Sequence, residues 1–190
     1  MALSRLARAS GREAFLSAAV AGILYEDRFF SINQRNWPDL RPSLENGPDA
    51  TLWPVQWCHG AAGGVLARSS LLQVAPVVAA TWPEILARTI SAAQTVASVG
   101  LSPLDHLCCG NMGRSATLSE VGRALKRPDF LRSANEIAVD VALRYKRGLI
   151  SVPGAVPRHN VGLFLGLSGV GYQLLRLSYP ELVPSVLSLT

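Results

Sequence analysis

The chain has 190 residues, of which 49% are hydrophobic and 16% charged, and its formal net charge is +5. This size and composition predict one folded domain and exclude a disordered protein, and no run of 18 apolar residues is present to span a membrane. Sixteen of the 18 basic residues are arginines without a run of five, which argues against a nucleic-acid-binding tail.

The chain opens with apolar residues at helical spacing, and residues 3–9 and 12–30 are predicted to form the first two helices. Their basic and then apolar composition is similar to that of a targeting signal, but no small-residue cleavage site follows. We therefore interpret this region as buried helix and expect a cytoplasmic protein. A polar loop rich in turn residues is predicted over 31–56.

Three Gly-x-x-Gly sequences, each opening a helix rich in small residues, recur with spacings of 50 and 56 residues: Gly60–Gly63, Gly110–Gly113 and Gly166–Gly169. One more amphipathic helix lies between consecutive members, at about 83–98 and at about 129–147, so each unit is a helix pair. No segment alternates like a strand for long enough to build a sheet, which predicts an all-α fold. About three helix pairs in succession predict a repeated array with an inner and an outer layer of helices. The alternative interpretation is that the helices are unrelated and only share glycine caps.

All three cysteines lie just before two of these repeated glycines: Cys58, and the pair Cys108–Cys109. If the helix pairs repeat, the loops before the inner helices emerge at one end of the array and bring the three thiols together. Three converging thiolates suit Zn²⁺, which binds sulfur at ~2.3 Å and keeps a fourth position open in catalytic sites. A fourth ligand from His59 or His106 would instead make the site structural. Buried or redox-active thiols are the third interpretation.

Five segments then point to a known family: YEDRFF at 25–30, NWPDLR at 36–41, WCHGAAGG at 57–64, LCCGNMGR at 107–114 and GLSGVGYQLL at 166–175. Together they resemble the cyclase domain of class II lanthipeptide synthetases, which is similar to stand-alone lanthionine cyclases and to lanthionine synthetase C-like proteins. The resemblance runs from about Gly22 to the last residue. Its specificity comes from the combination of the two cysteine motifs.

This resemblance implies an α/α toroid, here partial, and a Zn²⁺ ion bound by Cys58, Cys108 and Cys109. It also implies addition of a peptide cysteine to dehydroalanine or dehydrobutyrine, which forms a thioether ring in a dehydrated precursor peptide. His59, beside a metal ligand, is the candidate catalytic residue, as a proton donor or enolate stabiliser, with a packing role as the alternative. His106 is a weaker candidate for the same role.

The sequence also departs from the family pattern. The family's upstream His-Gly motif, a further aspartate and the dehydratase domain have no counterpart here, and three pairs are too few to close a ring. We therefore expect residues 1–190 to be the C-terminal portion of a cyclase domain, and a poor cyclase on its own. There are two alternative interpretations. The chain is a non-catalytic remnant that binds zinc or a peptide, or it is a module completed by another chain that supplies the missing repeats.

Overall fold

The computed structural model describes residues 1–41, 51–154 and 160–188. Within these residues there is no extended strand, and three isolated bridges are the only β pairings. The prediction of an all-α fold is confirmed. In the same residues no helix has the length and apolar character needed to cross a membrane. The described residues form eight helices: α1 Ala2–Ser10, α2 Glu13–Asp27, α3 Ala61–Val74, α4 Val77–Thr81, α5 Pro83–Ser98, α6 Asn111–Ala124, α7 Pro128–Lys146 and α8 Leu167–Ser178.

The helices pack in two layers that follow the chain. Helices α1, α3, α6 and α8 contact one another in that order and form the inner layer. Helices α2, α5 and α7 form the outer layer, and each also packs on the inner helix with which it is paired. This is the arrangement of a partial α/α toroid, with three pairs and a fourth inner helix. The short α4 was not predicted from the sequence.

Local signals explain where several helices begin and end. Proline occupies the first position of α5 and of α7. At this position an N–H has no partner within the helix, so proline, which lacks the N–H, costs no hydrogen bond there. Helix α1 ends at Gly11, whose left-handed backbone (φ 66°) is typical of a glycine that stops a helix. Because these signals are short-range, the boundaries of the outer helices could be predicted closely.

The repeated glycines lie where the loops fold back over the inner helices. Gly60, Gly110 and Gly166 are the residues directly before α3, α6 and α8. In all three repeats the next N–H donates to the carbonyl seven residues earlier: Ala61 to Pro54 (3.1 Å), Asn111 to Leu104 (2.9 Å) and Leu167 to Asn160 (2.8 Å). Each loop therefore satisfies one free N–H at the start of its helix.

The second glycine of each repeat has a steric reason. A Cβ there would meet the carbonyl oxygen of the residue six positions earlier: Trp57 at 2.3 Å from Gly63, Leu107 at 2.0 Å from Gly113 and Leu163 at 1.8 Å from Gly169. No side chain fits at these distances, so glycine is required wherever such a loop covers the helix start. The Gly-x-x-Gly spacing is thus the sequence signature of one loop geometry used three times.

A buried ion pair fixes α2 against α3. Asp27 is almost fully buried and accepts a hydrogen bond at 3.1 Å from Nε of Arg68, a residue with no exposed surface. Arg88 of α5 approaches the other carboxylate oxygen at 3.0 Å. The Arg68 guanidinium also lies 3.9 Å from the centre of the Trp37 ring. These contacts hold Trp37 on the surface of α3, close to the first cysteine loop.

Candidate metal centre

Three thiols meet where two loops enter the inner layer. The Sγ of Cys109 lies 3.3 Å from the Sγ of Cys58 and 3.3 Å from that of Cys108, and all three sulfur atoms lie within 4.8 Å of one another. All three cysteines are free, with Cys58 exposed and the other two half-buried. The structure thus brings together residues that are 50 and 51 positions apart in the sequence.

Backbone hydrogen bonds join the loops that precede α3, α6 and α8 to each other, and they explain why the thiols converge. The N–H of Trp57 donates to the carbonyl of Cys108 (3.1 Å), and the N–H of Cys108 donates to the carbonyl of Phe164 (3.0 Å). The Trp57 ring stacks on the Phe164 ring with centroids 5.4 Å apart, and its indole N–H donates to the carbonyl of Leu187 (3.3 Å). The loops before α3, α6 and α8 therefore form one continuous unit around the cysteines.

The loop that carries Cys108 and Cys109 is anchored by a buried carboxylate. Asp105 has no exposed surface, and its Oδ1 accepts hydrogen bonds from Asn111 Nδ2 and from the Arg144 guanidinium of α7, both at 2.7 Å. Its Oδ2 accepts a third from the N–H of Ser151 at 2.9 Å. This carboxylate therefore ties the cysteine loop to both α6 and the outer layer.

The asparagine of the CCGN motif has a structural explanation in the same loop. Asn111 Oδ1 accepts from the N–H of Ser102 (2.8 Å), and Asn111 Nδ2 donates to the Ser102 carbonyl (2.9 Å) as well as to Asp105. Asn111 belongs to a motif that the sequence shows, whereas roles for Asp105 and Arg144 were not predicted from it. An acidic residue three positions before a cysteine pair was the available signal.

The donor set fits zinc. Thiolates bound tetrahedrally at ~2.3 Å lie ~3.8 Å apart, and the observed sulfur separations, 3.3 Å to at most 4.8 Å, span that value. Burial raises the pKa of Cys108, and burial together with hydrogen bonding to the neighbouring thiols raises that of Cys109 far above its usual range. Without a cation these two thiols stay protonated, and a bound cation would supply the charge that removes their protons. The N-termini of α3 and α6 add positive potential nearby.

Neither neighbouring histidine joins the sulfur cluster. Within the described part of the chain, no histidine or carboxylate ligand atom completes a group with the three thiols. The His106 Nδ1 lies 3.2 Å from the Phe164 carbonyl and 3.4 Å from the Cys109 N–H, and burial lowers the pKa of this ring. His106 is thus engaged in holding the loops together. This arrangement favours three protein ligands with an open fourth position over a closed structural site.

His59 lies at the entrance of the site beside an ionised carboxylate. Its side chain is 39% exposed, and its Nε2 is 4.0 Å from Oδ2 of Asp39. The Arg41 guanidinium hydrogen-bonds both oxygens of Asp39 and holds the pKa of that carboxyl well below its usual range. A charged Asp39 therefore faces the imidazole next to Cys58. The catalytic role predicted for His59 stays a prediction.

A cavity of about 370 Å³ opens beside Cys58 and His59. Its other walls include the aromatic side chains of Tyr25, Phe29 and Trp37. The exposed thiol and the imidazole therefore share one concave space with aromatic side chains. Ligand pockets typically combine such apolar walls with a few polar groups.

Comparison with known proteins gives one positive result. The family described as lanthionine synthetase C-like protein matches residues 1–188, nearly the whole chain. A search of curated proteins finds no match.

Proposed function

Because the chain belongs to the lanthionine synthetase C-like family, we propose that it is a zinc-dependent lanthipeptide cyclase domain. It would add peptide cysteine thiols to dehydroalanine or dehydrobutyrine in a dehydrated precursor peptide. The observation that carries this proposal is the group of three free sulfurs beside an open cavity. We also propose a cytoplasmic location, where free thiols stay reduced.

Cys58, Cys108 and Cys109 would hold the metal. A bound zinc ion supplies the positive charge that stabilises a substrate thiolate near neutral pH, whereas an ordinary thiol has a pKa of ~8.5. Cys58 is exposed and borders the cavity, so at least this ligand lies beside the space from which a peptide can approach. Asp105 and Asn111 would keep the loop in place while substrates exchange.

His59 would supply the proton that completes the addition. When the thiolate sulfur bonds to the β-carbon, the carbon–carbon double bond of the dehydro residue opens and negative charge develops on its carbonyl group. The α-carbon then takes a proton, and His59 is placed beside Cys58 to donate it. Asp39, ionised and with an oxygen 4.0 Å from His59 Nε2, would help to orient the ring. General acid catalysis of this kind contributes ~10²–10⁴-fold.

Loss of free thiol from a dehydrated precursor peptide tests the proposal directly. Ring formation leaves the peptide mass unchanged but removes its cysteine thiols, so alkylation followed by mass spectrometry counts the rings. We expect faster loss with the zinc-loaded protein than with peptide alone, and no acceleration with Cys108→Ala. His59→Asn should retain zinc and lose ~10²-fold or more in rate. Equal rates for Cys108→Ala and the unmodified protein would contradict the proposal.

The alternatives predict different results in the same assay. A non-catalytic zinc- or peptide-binding protein would bind the metal or the peptide without accelerating thiol loss. A module completed by another chain would become active only when that chain is added. Measuring the zinc content, peptide binding and thiol loss on one preparation separates these cases.

A further inference from the structure

The cavity beside Cys58 is shaped for a side chain. Its volume of about 370 Å³ falls within the ~300–1,000 Å³ range of ligand pockets. Tyr25 and Phe29 form one wall, with their rings edge to face at 5.5 Å between centroids. Leu40 borders the same space and is largely exposed, as is Tyr25. The cavity thus presents uncovered apolar surface next to a candidate metal ligand.

The opposite side of the cavity is built by glycines and a fixed indole. Gly60, Gly63 and Gly64 border the space and contribute no side chain to fill it. A Cβ on Gly64 would lie 2.7 Å from the Trp37 ring, so the indole rests directly on α3. Trp37 is nearly fully buried and is covered by the Arg68 guanidinium, so the indole is held against α3. This side of the cavity therefore leaves space for a ligand side chain.

Resting on the proposed function, we propose that this cavity binds an apolar, preferably aromatic, side chain that flanks the reacting cysteine of the substrate peptide. Cys58 and His59 line the same cavity as the aromatic wall. Consecutive residues of an extended peptide are ~3.3–3.6 Å apart, so a neighbour of a thiol held at Cys58 reaches this space. Aromatic side chains gain from edge-to-face contact with rings such as those of Tyr25 and Phe29.

The negative charge of Glu26 in the same cavity disfavours an acidic residue next to the reacting cysteine of the substrate. The Glu26 carboxylate lines the cavity, and its side chain is 57% exposed even though Arg68 approaches it at 3.2 Å. An aspartate or glutamate next to the reacting cysteine would lie near this carboxylate and be repelled by it, to an extent limited by solvent screening. The cavity should therefore select substrate cysteines by what lies beside them, in addition to the reaction at the thiol.

Two synthetic peptides without a dehydro residue test this selection separately from catalysis. We would measure, by calorimetry with the zinc-loaded protein, the affinities of acetyl-Phe-Cys-Gly-amide and acetyl-Asp-Cys-Gly-amide. Partial burial of the phenyl ring predicts ~10-fold tighter binding of the first peptide. Equal affinities would overturn the cavity assignment and leave the proposed function standing. Failure of both peptides to bind would instead overturn the proposed function at the metal.

Substitutions in the cavity wall test which protein residues cause the preference for the phenylalanine peptide. The double substitution Tyr25→Ala with Phe29→Ser should reduce the ~10-fold preference to within ~2-fold without changing the zinc content, since neither residue belongs to the group of sulfur ligands. Tyr179→Ala is the matched control, because Tyr179 is 57% exposed like Tyr25 but lies outside the cavity lining. A preference that survives the double substitution, or that is lost in Tyr179→Ala, would overturn the assignment.

Discussion

Replacing Asp105 by asparagine would test whether the buried carboxylate holds the cysteine loop in place. Asparagine has nearly the same shape, but it carries no charge and puts an NH₂ group where an oxygen now accepts hydrogen bonds. Three donors converge on this carboxylate, from Asn111, Arg144 and Ser151, at 2.7–2.9 Å. At least one of them would face another donor, and Arg144 would lose its charged partner.

The size of the effect follows from these contacts. Breaking a buried ion pair by removing one partner costs ~3–5 kcal/mol, and the Arg144 side chain is 29% exposed, which places Asp105→Asn near ~3 kcal/mol. Urea denaturation should show this fall in the free energy of unfolding. A loop that is less firmly held should also bind zinc ~10–100-fold more weakly in a competition titration, as when groups that orient metal ligands are removed.

A second aspartate–arginine pair provides the control. Asp129 accepts hydrogen bonds from Arg127 on the exposed start of α7 and does not belong to the thiol group. Exposed pairs of this kind contribute little to stability, so Asp129→Asn should leave the zinc affinity unchanged. If Asp105→Asn had the stability and the zinc affinity of the unmodified protein, the anchoring role argued for Asp105 would be refuted.

Three further predictions concern the metal and the repeated loops. We expect about one Zn²⁺ per chain by elemental analysis, with a sharp loss on changing any of the three cysteines to alanine; full zinc in Cys108→Ala would remove this site. Zinc affinity should fall as the pH falls, because the raised pKa values of Cys108 and Cys109 mean that metal binding must release their protons; an affinity equal at pH 8 and pH 6 would contradict this. Gly113→Ala should destabilise by ~1–3 kcal/mol in thermal unfolding, since its Cβ would lie 2.0 Å from the Leu107 carbonyl oxygen. Gly22→Ala, with nothing within 4 Å of its Cβ, should be neutral or stabilising, and equal effects of the two would refute the steric argument.

Much of the architecture could be predicted because its signals are local or periodic. The outer helix predicted at about 83–98 is Pro83–Ser98 in the structure, where proline at the first position marks the start. The Gly-x-x-Gly repeats place Cys58 and the Cys108–Cys109 pair in equivalent loops, and equivalent loops of a repeated array lie side by side. The convergence of three thiols could be inferred on that basis alone, without knowledge of any side-chain contact.

The contacts that hold these loops could not be predicted in the same way. Asp105 and Arg144 are 39 positions apart, and their pairing depends on how α7 packs on α6, which no local pattern specifies. The stacking of Trp57 on Phe164 likewise joins loops that are far apart in the chain. Taken alone, each of these residues is of a type that is common on a protein surface or in a core. Its contact partner is determined by how the helices pack.

The placement of the thiols in two separate loops makes metal binding a cross-link between repeats. A metal held by Cys58 and Cys109 would join residues 51 positions apart, whose own loops precede α3 and α6. Closing a flexible chain segment of about 50 residues costs on the order of 3.5 kcal/mol in conformational entropy, and the folded protein has already met that cost. The unfolded chain would therefore bind the ion much more weakly. Metal supply should raise the thermal stability of the whole domain, and chelation should loosen first the junction between the two inner helices.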